Sequence, residues 1–178
     1  MMGAMKGDDF MTMGGDSAFG MFDTMGHDRV LQMGGGAMGG MFGAMGHEQI
    51  AGMEGDTSFG AFEVMGREGF KDMGGAHMAG MFDSMGADHI GAIGGEAIFD
   101  MVGGMSGDHF MTMGGDSAFG MFEAMGAGMA GGMGGGAMAG MFDAMGADHI
   151  GAIGGDAIFE MMGAMKGDDF MTMGGDSA

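Results

Sequence analysis

MFDSMGADHIGAIGGEAIFD, at Met81–Asp100, is the stretch on which every other part of the chain is patterned. In rows of twenty, the 178 residues give eight full variants of this stretch and a ninth of eighteen residues, without insertion or deletion. Methionine occupies the fifth position of every row, from Met5 to Met165, and glycine occupies the fifteenth. Such periodicity is typical of a tandem-repeat protein, whose units bury their apolar faces on their neighbours. We therefore interpret residues 1–178 as a single array of nine units.

Each unit contains a longer and a shorter helical pattern. In the longer one, at 96–105, apolar residues recur with the i, i+3, i+4 and i+7 spacing of an amphipathic helix, at Ile98, Met101, Val102 and Met105. The shorter one, DHIGAI at 88–93, spans about a turn and a half of helix. Glycine follows both patterns, as is usual where a helix ends.

An acidic residue stands at the start of the longer pattern in six rows. At an N-cap or in a first turn, its carboxylate satisfies free backbone N–H groups and interacts favourably with the helix dipole. These residues are Asp16, Asp56, Glu96, Asp116, Asp156 and Asp176.

The repeat, the two helical patterns and the acids together predict an all-α solenoid of 20-residue repeats, each with one longer and one shorter helix joined by Gly turns. A β-solenoid with twenty-residue rungs is the alternative, which the scarcity of β-branched residues disfavours.

A slower pattern overlies the twenty-residue repeat. One type of row ends in DSAFG or DTSFG (rows from Met1, Met41, Met101 and, truncated, Met161). A second type ends in GGAMGG, GAHMAG or GGAMAG (rows from Met21, Ala61 and Met121), and a third carries ADHIGAIGG (rows from Met81 and Met141). The types follow in this order, except that the third is missing after Gly40. The order predicts packing that repeats every sixty residues.

The composition excludes several classes of partner. The formal net charge is −20, which disfavours binding to nucleic acids and anionic membranes. Because the chain has no cysteine, disulfides and thiolate metal sites are ruled out. The opening MMGAMKGDDF lacks the regions of a secretory signal. The uncharged run 124–142 is long enough to cross a bilayer, but its many glycines and its repeat register indicate another soluble unit, so we expect no membrane span.

The two ends of the chain share one sequence. Residues 1–18 and 161–178 are identical, and both ends fall within the longer helical pattern. Natural repeat domains usually end in a polar capping unit, which neither end provides. We therefore expect either a window from a longer array or a unit that joins head to tail with copies of itself, because a heterologous contact that does not close extends into a filament.

The methionines are candidate copper ligands. Met1 and Met5, like their equivalents in other rows, lie four residues apart on one helix face, and thioethers are soft ligands that suit copper(I). These positions also form the predicted core stripe, where methionine fills irregular gaps. Ile93 and Ile153 replace Met13 without disturbing the pattern. Packing is therefore the preferred role.

Acidic residues recur at the eighth row position. They are Asp8, Asp28, Glu48, Glu68, Asp88, Asp108, Asp148 and Asp168. Calcium prefers oxygen ligands at about 2.3–2.6 Å, a distance that acids one repeat apart are not expected to meet, and the DxDxDG calcium loop is absent. We predict helix capping and solubility as their role, with weak calcium binding at most.

Three Asp-His pairs are the candidate metal-binding residues. They are Asp88 with His89, Asp108 with His109, and Asp148 with His149. Histidine binds metals and titrates near neutral pH, but adjacent residues on a helix point in different directions. No HxxxH or HExxH spacing supports a site, so we expect these histidines to be exposed.

The turns MGADHI and GGDAIF place an acid at the start of each helix and an apolar residue two positions later. In this they resemble the short tandem helical repeats of large bacterial surface and scaffold proteins, which often carry proline in that turn. The resemblance covers the whole chain and implies a helical architecture with a non-enzymatic role. Catalysis has little support from the residues themselves, because no position departs from the repetition to mark one site.

We therefore predict a structural protein that self-associates end to end as a filament, spacer or surface-layer component, with an extracellular or cell-surface location favoured. No cofactor is expected. The alternative is a metal-binding or storage protein that uses methionine and histidine for copper, or the acidic residues for calcium.

Overall fold

The computed structural model describes residues 12–173, without the side chains at positions 27 and 172. All regular secondary structure in this range is helical. The protein is all-α, as predicted, and the β-solenoid alternative is wrong for the described residues. The predictions made for Met5, Asp8, Gly175 and Asp176 lie outside this range.

The chain falls into two compact units, Met1–Met85 and Gly86–Ala178. The described part of the first contains α1 (Gly15–Met25), α2 (His27–Leu31), α3 (Gly35–Ala44), α4 (His47–Ala51), α5 (Gly55–Asp72) and the first part of α6 (Gly75–Ile93). The second contains the remainder of α6, α7 (Gly95–Val102), α8 (Gly107–Met111), α9 (Gly115–Ala130), a 3₁₀ helix (Gly131–Met133), α10 (Gly135–Ile153), α11 (Gly155–Met162) and α12 (Gly167–Thr172).

Helices begin at intervals of twenty residues, at the glycine of the fifteenth row position. Within residues 12–173 these starts are Gly15, Gly35, Gly55, Gly75, Gly95, Gly115, Gly135 and Gly155. The shorter helix is separate in α2, α4, α8 and α12. In α5, α6, α9 and α10 it continues the longer helix after an interruption, at Gly66, Gly86, Gly126 and Gly146. The predicted alternation of longer and shorter helices is thus present throughout residues 15–172.

The longer helix predicted at 96–105 ends earlier in the structure. The expected helix at 96–105 stops at Val102, and Gly103 caps its C-terminus. Gly103 and Gly104 favour this stop because glycine has a low helix propensity. Met105 donates its backbone N–H to the Val102 carbonyl at 2.9 Å and lies beyond the turn, where it is still buried.

The turns between helices adopt two backbone conformations. One uses a glycine with φ between 68° and 93°, at positions 26, 34, 66, 74, 86, 94, 126, 134, 146 and 154. The other has φ between −69° and −103°, at positions 14, 46, 54, 106, 114 and 166. From position 66 to position 114, four turns of the first kind (66, 74, 86 and 94) are followed by two of the second (106 and 114). After the turn at position 14, by contrast, only two turns of the first kind (26 and 34) come before the next turn of the second kind, at position 46. The backbone therefore follows the sixty-residue order of row types, including the missing third row.

The acids at the start of the longer pattern lie in the first helical turn and not at the N-cap. Asp16, Asp56, Glu96, Asp116 and Asp156 all follow the first glycine of their helices. The residue at the N-cap of each of these helices forms no capping hydrogen bond through its side chain. A charge in the first turn still interacts favourably with the helix dipole.

Aromatic and methionine side chains form the core of the first unit. Phe70, in the shorter part of α5, packs edge-on against Phe62 and Phe82 at centroid distances of 5.3 and 5.1 Å. Phe22 of α1 lies 5.4 Å from Phe42 of α3. Phe42, Phe70 and Phe82 are completely buried. Such offset and edge-on pairs add to the stabilisation from burial.

Aliphatic, methionine and phenylalanine side chains and close glycine contacts form the core of the second unit. Ile90, Ile98, Met121 and Phe110 are completely buried. The N-terminus of α8 lies directly on α10, because neither Gly107 nor Gly140 has a side chain. A Cβ atom built on Gly140 would lie 2.5 Å from the Cα atom of Gly107, which is closer than two such atoms approach in proteins.

Candidate functional site

The three predicted Asp-His pairs all lie on shorter helices of the second unit. Their aspartates (Asp88, Asp108 and Asp148) are exposed, and their histidines (His89, His109 and His149) are half-buried. The expectation that the histidines would be exposed is therefore wrong. The roles of His109 and His149 depend on groups outside the Asp-His pairs: the start of its own helix for His109, and a preceding helix end and a second helix for His149.

His109 stabilises the start of its own helix. Its Nδ1 accepts a hydrogen bond from the backbone N–H of Ser106, three residues earlier, at 3.0 Å. The Ser106 hydroxyl lies 3.1 Å from the same nitrogen. This satisfies a backbone donor at the helix N-terminus that has no partner within the helix. Because Nδ1 accepts, the proton of the neutral imidazole is on Nε2.

His149 occupies the same row position and does the reverse. Its Nδ1 lies 2.8 Å from the carbonyl oxygen of Met145, so it donates to the end of the preceding longer helix. Its Nε2 lies 2.9 Å from Oδ1 of Asp116 on α9, and its ring lies 5.1 Å from that of Phe119. The ring thus satisfies a free carbonyl at a helix C-terminus and links two helices.

The residue three positions before each histidine accounts for the difference. Ser106, with φ −95° and ψ 167°, directs its N–H toward His109. Gly146, with φ 69° and ψ 172°, turns the chain so that the Met145 carbonyl faces His149. That φ is accessible to glycine and strained for other residues. The sequences MSGDHF and MGADHI therefore give one residue type two opposite hydrogen-bonding roles.

Two further side chains at this row position cap their helices as His109 does. Gln49 accepts the backbone N–H of Gly46 at 2.8 Å, and Asp169 accepts that of Lys166 at 2.7 Å. Gln49 also donates to Oδ1 of Asp16 at 2.5 Å. The Asp16–Gln49 and Asp116–His149 pairs are both 33 residues apart and use the same two row positions. These two polar pairs thus link helices at the same interval along the chain.

The pKa of His149 is raised above its ordinary value of 6.5. The largest cause is the hydrogen bond to the Met145 carbonyl, because this bond favours the protonated ring. Partial burial opposes the rise, while the hydrogen bond to Asp116 and the charges of Asp116 and Asp148 add to it. Asp116 is 91 % exposed, so its ion pair with His149 is largely screened by water.

A pH titration of His149 tests this arrangement. We expect its NMR titration midpoint to lie above 6.5, to fall when Asp116→Asn removes the carboxylate, and to remain unchanged in the control Asp28→Asn. Because the folded-state pKa is raised, the stabilisation by His149 is complete below the unfolded pKa and disappears as pH rises through the folded value. A midpoint below 6.5 in the wild-type protein would contradict the assigned hydrogen bonds.

His77 links two helix ends and was not identified as a candidate from the sequence. Its Nδ1 lies 2.8 Å from the carbonyl oxygen of Met73, and its Nε2 lies 3.0 Å from that of Met45. His47, in turn, contacts the Ala76 carbonyl oxygen through Nδ1 at 3.2 Å. The separations of 32 and 29 residues resemble those of the polar pairs above. A search of the sequence for polar residues 33 positions apart finds the Asp16–Gln49 and Asp116–His149 pairs, but not these contacts to backbone carbonyls.

The His, Asp and Glu side chains of the described part of the chain do not form a metal site. No group of three or more His, Asp or Glu side chains within residues 12–173 is arranged to hold a metal ion. The described acids of the eighth row position (Asp28, Glu48, Glu68, Asp88, Asp108, Asp148 and Asp168) are exposed. Most fifth-position methionines, by contrast, lie in the core: Met45, Met85, Met105, Met125, Met145 and Met165 are buried, whereas Met25 and Met65 are half-buried.

Comparisons with known proteins provide no relative. No protein-family model matches the chain, and neither the curated proteins nor the solved structures include a significant match.

Among the described residues, no helix has the length and apolar character needed to cross a membrane.

Proposed function

We propose that this chain is a non-enzymatic structural protein, a solenoid of 20-residue helical repeats that associates end to end as a filament, spacer or surface-layer component. Its repeats resemble in a general way the short tandem helical repeats of bacterial surface and scaffold proteins, and an extracellular or cell-surface location suits the proposed role.

One recurring contact supports this proposal most strongly. The glycine that opens a longer helix lies against a backbone carbonyl 29 residues further on, within residues 12–173, at Gly15–Ala44, Gly35–Val64, Gly95–Ala124 and Gly115–Ala144. In three of these pairs, a Cβ on the glycine would be 3.0–3.2 Å from the carbonyl oxygen, and in the fourth, Gly95–Ala124, it would be closer still. Units that meet their neighbours through the same contact add to an array without a central core.

The contacts of the side chains support a structural role over a metal-binding role. The polar contacts of Gln49, His77, His109 and His149 all satisfy helix ends or link helices. The methionine sulfurs that would bind copper belong mostly to buried side chains, as expected for residues that fill gaps between glycine-rich helices. Within residues 12–173, no cluster of His, Asp and Glu side chains favours the metal-binding alternative.

Electron microscopy of the purified chain, with and without a chelator, tests the proposed function. We expect elongated assemblies one repeat array wide that persist in the chelator, because packing and hydrogen bonds suffice to form them. Dispersed particles at all concentrations would contradict self-association. Assemblies that dissolve when metal is removed would favour the metal-binding alternative, since metal binding would then be coupled to order.

A further inference from the structure

Side chains at the ninth row position fill the space beside the glycine that opens a longer helix, 34 residues earlier in the chain. Within the two compact units, the filled places are Gly15 with Gln49, Gly95 with Met129, Gly115 with His149, and Gly135 with Asp169. The residue 34 positions after Gly35 is Gly69, which has no side chain to place there. The four other pairs show that this space accepts a side chain.

The order of the rows explains why Gly35 is different. In the sixty-residue pattern, a second-type row is followed two rows later by a first-type row, as the row of Gly135 is by the row of Asp169. Because the third-type row after Gly40 is missing, the second-type row that contains Gly35 is followed two rows later by another second-type row, which contains Gly69. The missing row therefore places glycine against glycine.

A pocket lies at this place in the first unit. It has a volume of about 490 Å³ and is formed by α3, the shorter part of α5 and the start of α6. Its wall includes Gly35, Met65, Gly69, Met73 and His77, and it continues along the other glycines of α3. The absent side chain at position 69 has thus become an open space on the surface of the unit.

The equivalent place in the second unit shows which group fits this space. A Cβ on Gly115 would lie 3.1 Å from the Met145 carbonyl oxygen and 3.2 Å from the Ala144 carbonyl oxygen. The third atom beside it, also at 3.2 Å, is Cε1 of His149, whose Nδ1 lies 2.8 Å from the Met145 carbonyl oxygen. An imidazole ring therefore fills the space and donates to a carbonyl at the end of the longer helix.

The first unit has the same backbone arrangement without the ring. Gly66 has φ 68° and ψ 174°, as Gly146 has φ 69° and ψ 172°. A Cβ on Gly35 would lie 3.2 Å from the Val64 carbonyl oxygen and 3.8 Å from the Met65 carbonyl oxygen, and the three atoms nearest to it all belong to the backbone. The carbonyls at 64 and 65 thus correspond to those at 144 and 145, which surround the ring in the second unit.

His77 is a fixed part of the pocket wall. Its two ring nitrogens lie 2.8 and 3.0 Å from the carbonyl oxygens of Met73 and Met45, so neither is free to bind a metal ion. The polar groups beside Gly35 are carbonyl oxygens, which accept hydrogen bonds and do not donate them. An occupant that carries an N–H donor suits this pocket.

We propose that the pocket between Gly35 and Gly69 binds a small molecule that carries an imidazole ring. The ring lies between the two glycines and donates an N–H to the Met65 carbonyl, as in the second unit. Met65 and Met73 line the same space, and thioethers make favourable contacts with aromatic rings. The remaining glycines of α3 leave room for a substituent on the ring. This site does not depend on end-to-end association.

Binding of 4-methylimidazole, the free counterpart of a histidine side chain, tests the proposal. In an NMR titration we expect it to shift the amide resonances of Gly35 and Gly69, with a dissociation constant on the order of 1–10 mM for so small a ligand. 1-Methylimidazole has no N–H when it is neutral. At a pH above the pKa of both compounds, it should bind roughly ten-fold more weakly, because one hydrogen bond is lost. Equal binding of the two compounds would overturn the assigned hydrogen bond.

Gly69→His supplies the same ring from the chain itself. A Cβ at position 69 would lie 3.2 Å from the Met65 Cβ atom, in a turn whose equivalent already carries His149. We expect this variant to keep the circular dichroism spectrum of the wild type and to lose binding of 4-methylimidazole. Gly151→His is the matched control, because it enters open space at an exposed position of α10, and it should bind as the wild type does.

His149→Gly opens the equivalent space in the second unit. The folded variant should bind two molecules of 4-methylimidazole, one in each unit, and a folded variant that binds only one would overturn the proposal. Should this variant unfold, the test rests on the wild type and Gly69→His. If the wild type does not bind 4-methylimidazole, or if Gly69→His binds it as well as the wild type, the site is not as proposed, while the proposed structural function stands.

Discussion

Replacing Gly140 with alanine is expected to destabilise the protein by about 3 kcal/mol, the upper part of the range for overpacked cores. The added Cβ would lie 2.5 Å from the Cα atom of Gly107. Both contacting groups belong to helix backbones, so no side chain can rotate to relieve the overlap. The helices α8 and α10 would have to separate. Urea unfolding monitored by circular dichroism measures the change as a lower midpoint.

Gly136 provides the matched control on the same helix. A Cβ there meets nothing within 4 Å, so Gly136→Ala is expected to stabilise the protein by about 0.5–1 kcal/mol through its higher helix propensity. Two identical substitutions four residues apart should therefore have effects of opposite sign. A stability for Gly140→Ala equal to that of the wild type would mean that α8 does not lie on α10 as described.

Replacing Gly146 with valine is expected to cost about 3 kcal/mol, because a β-branched residue at this backbone conformation is strongly strained. Gly146 has φ 69° and ψ 172°. If the chain relieves the strain by adopting the extended φ seen at Ser106, the Met145 carbonyl loses its hydrogen bond from His149. Either response lowers the free energy of unfolding, which urea denaturation measures.

Ser106→Val is the corresponding control at the same row position. Ser106 already has extended angles, φ −95° and ψ 167°, which β-branched residues adopt readily. We expect a cost of about 1 kcal/mol, because valine removes the N-cap hydroxyl that lies 3.1 Å from His109 Nδ1 but adds no backbone strain. Equal costs for the two valine substitutions would show that the turn conformations at 106 and 146 do not differ.

Periodicity was enough to predict the helical class, the two helices of each unit and the sixty-residue order. These follow from local properties: apolar spacing sets the buried faces, and glycine sets where helices stop. The predicted end of α7, at Met105, lies three residues beyond the observed end at Val102. The apolar stripe continues to Met105, but Gly103 and Gly104 end the helix. In that segment, backbone preference prevailed over the pattern of side chains.

The roles of the histidines could not be read from the sequence in the same way. His109 and His149 share a row position and an Asp neighbour, yet one accepts and the other donates at Nδ1. What distinguishes them is a backbone torsion at the preceding turn and, for His149, a carboxylate 33 residues away. Periodicity aligns equivalent positions but carries no information on which helices come into contact.

The interval of the cross-helix contacts has a consequence for how the chain acquires its structure. Contacts such as Ser84–Ser58, His47–Ala76 and His149–Asp116 join residues 26, 29 and 33 positions apart. Low sequence separation between partners favours fast folding. A ribosome need release only about two further rows before an emerging unit meets its neighbour, so the array is expected to fold from its first rows onward during synthesis. A stalled or shortened chain would then retain order in the rows already made.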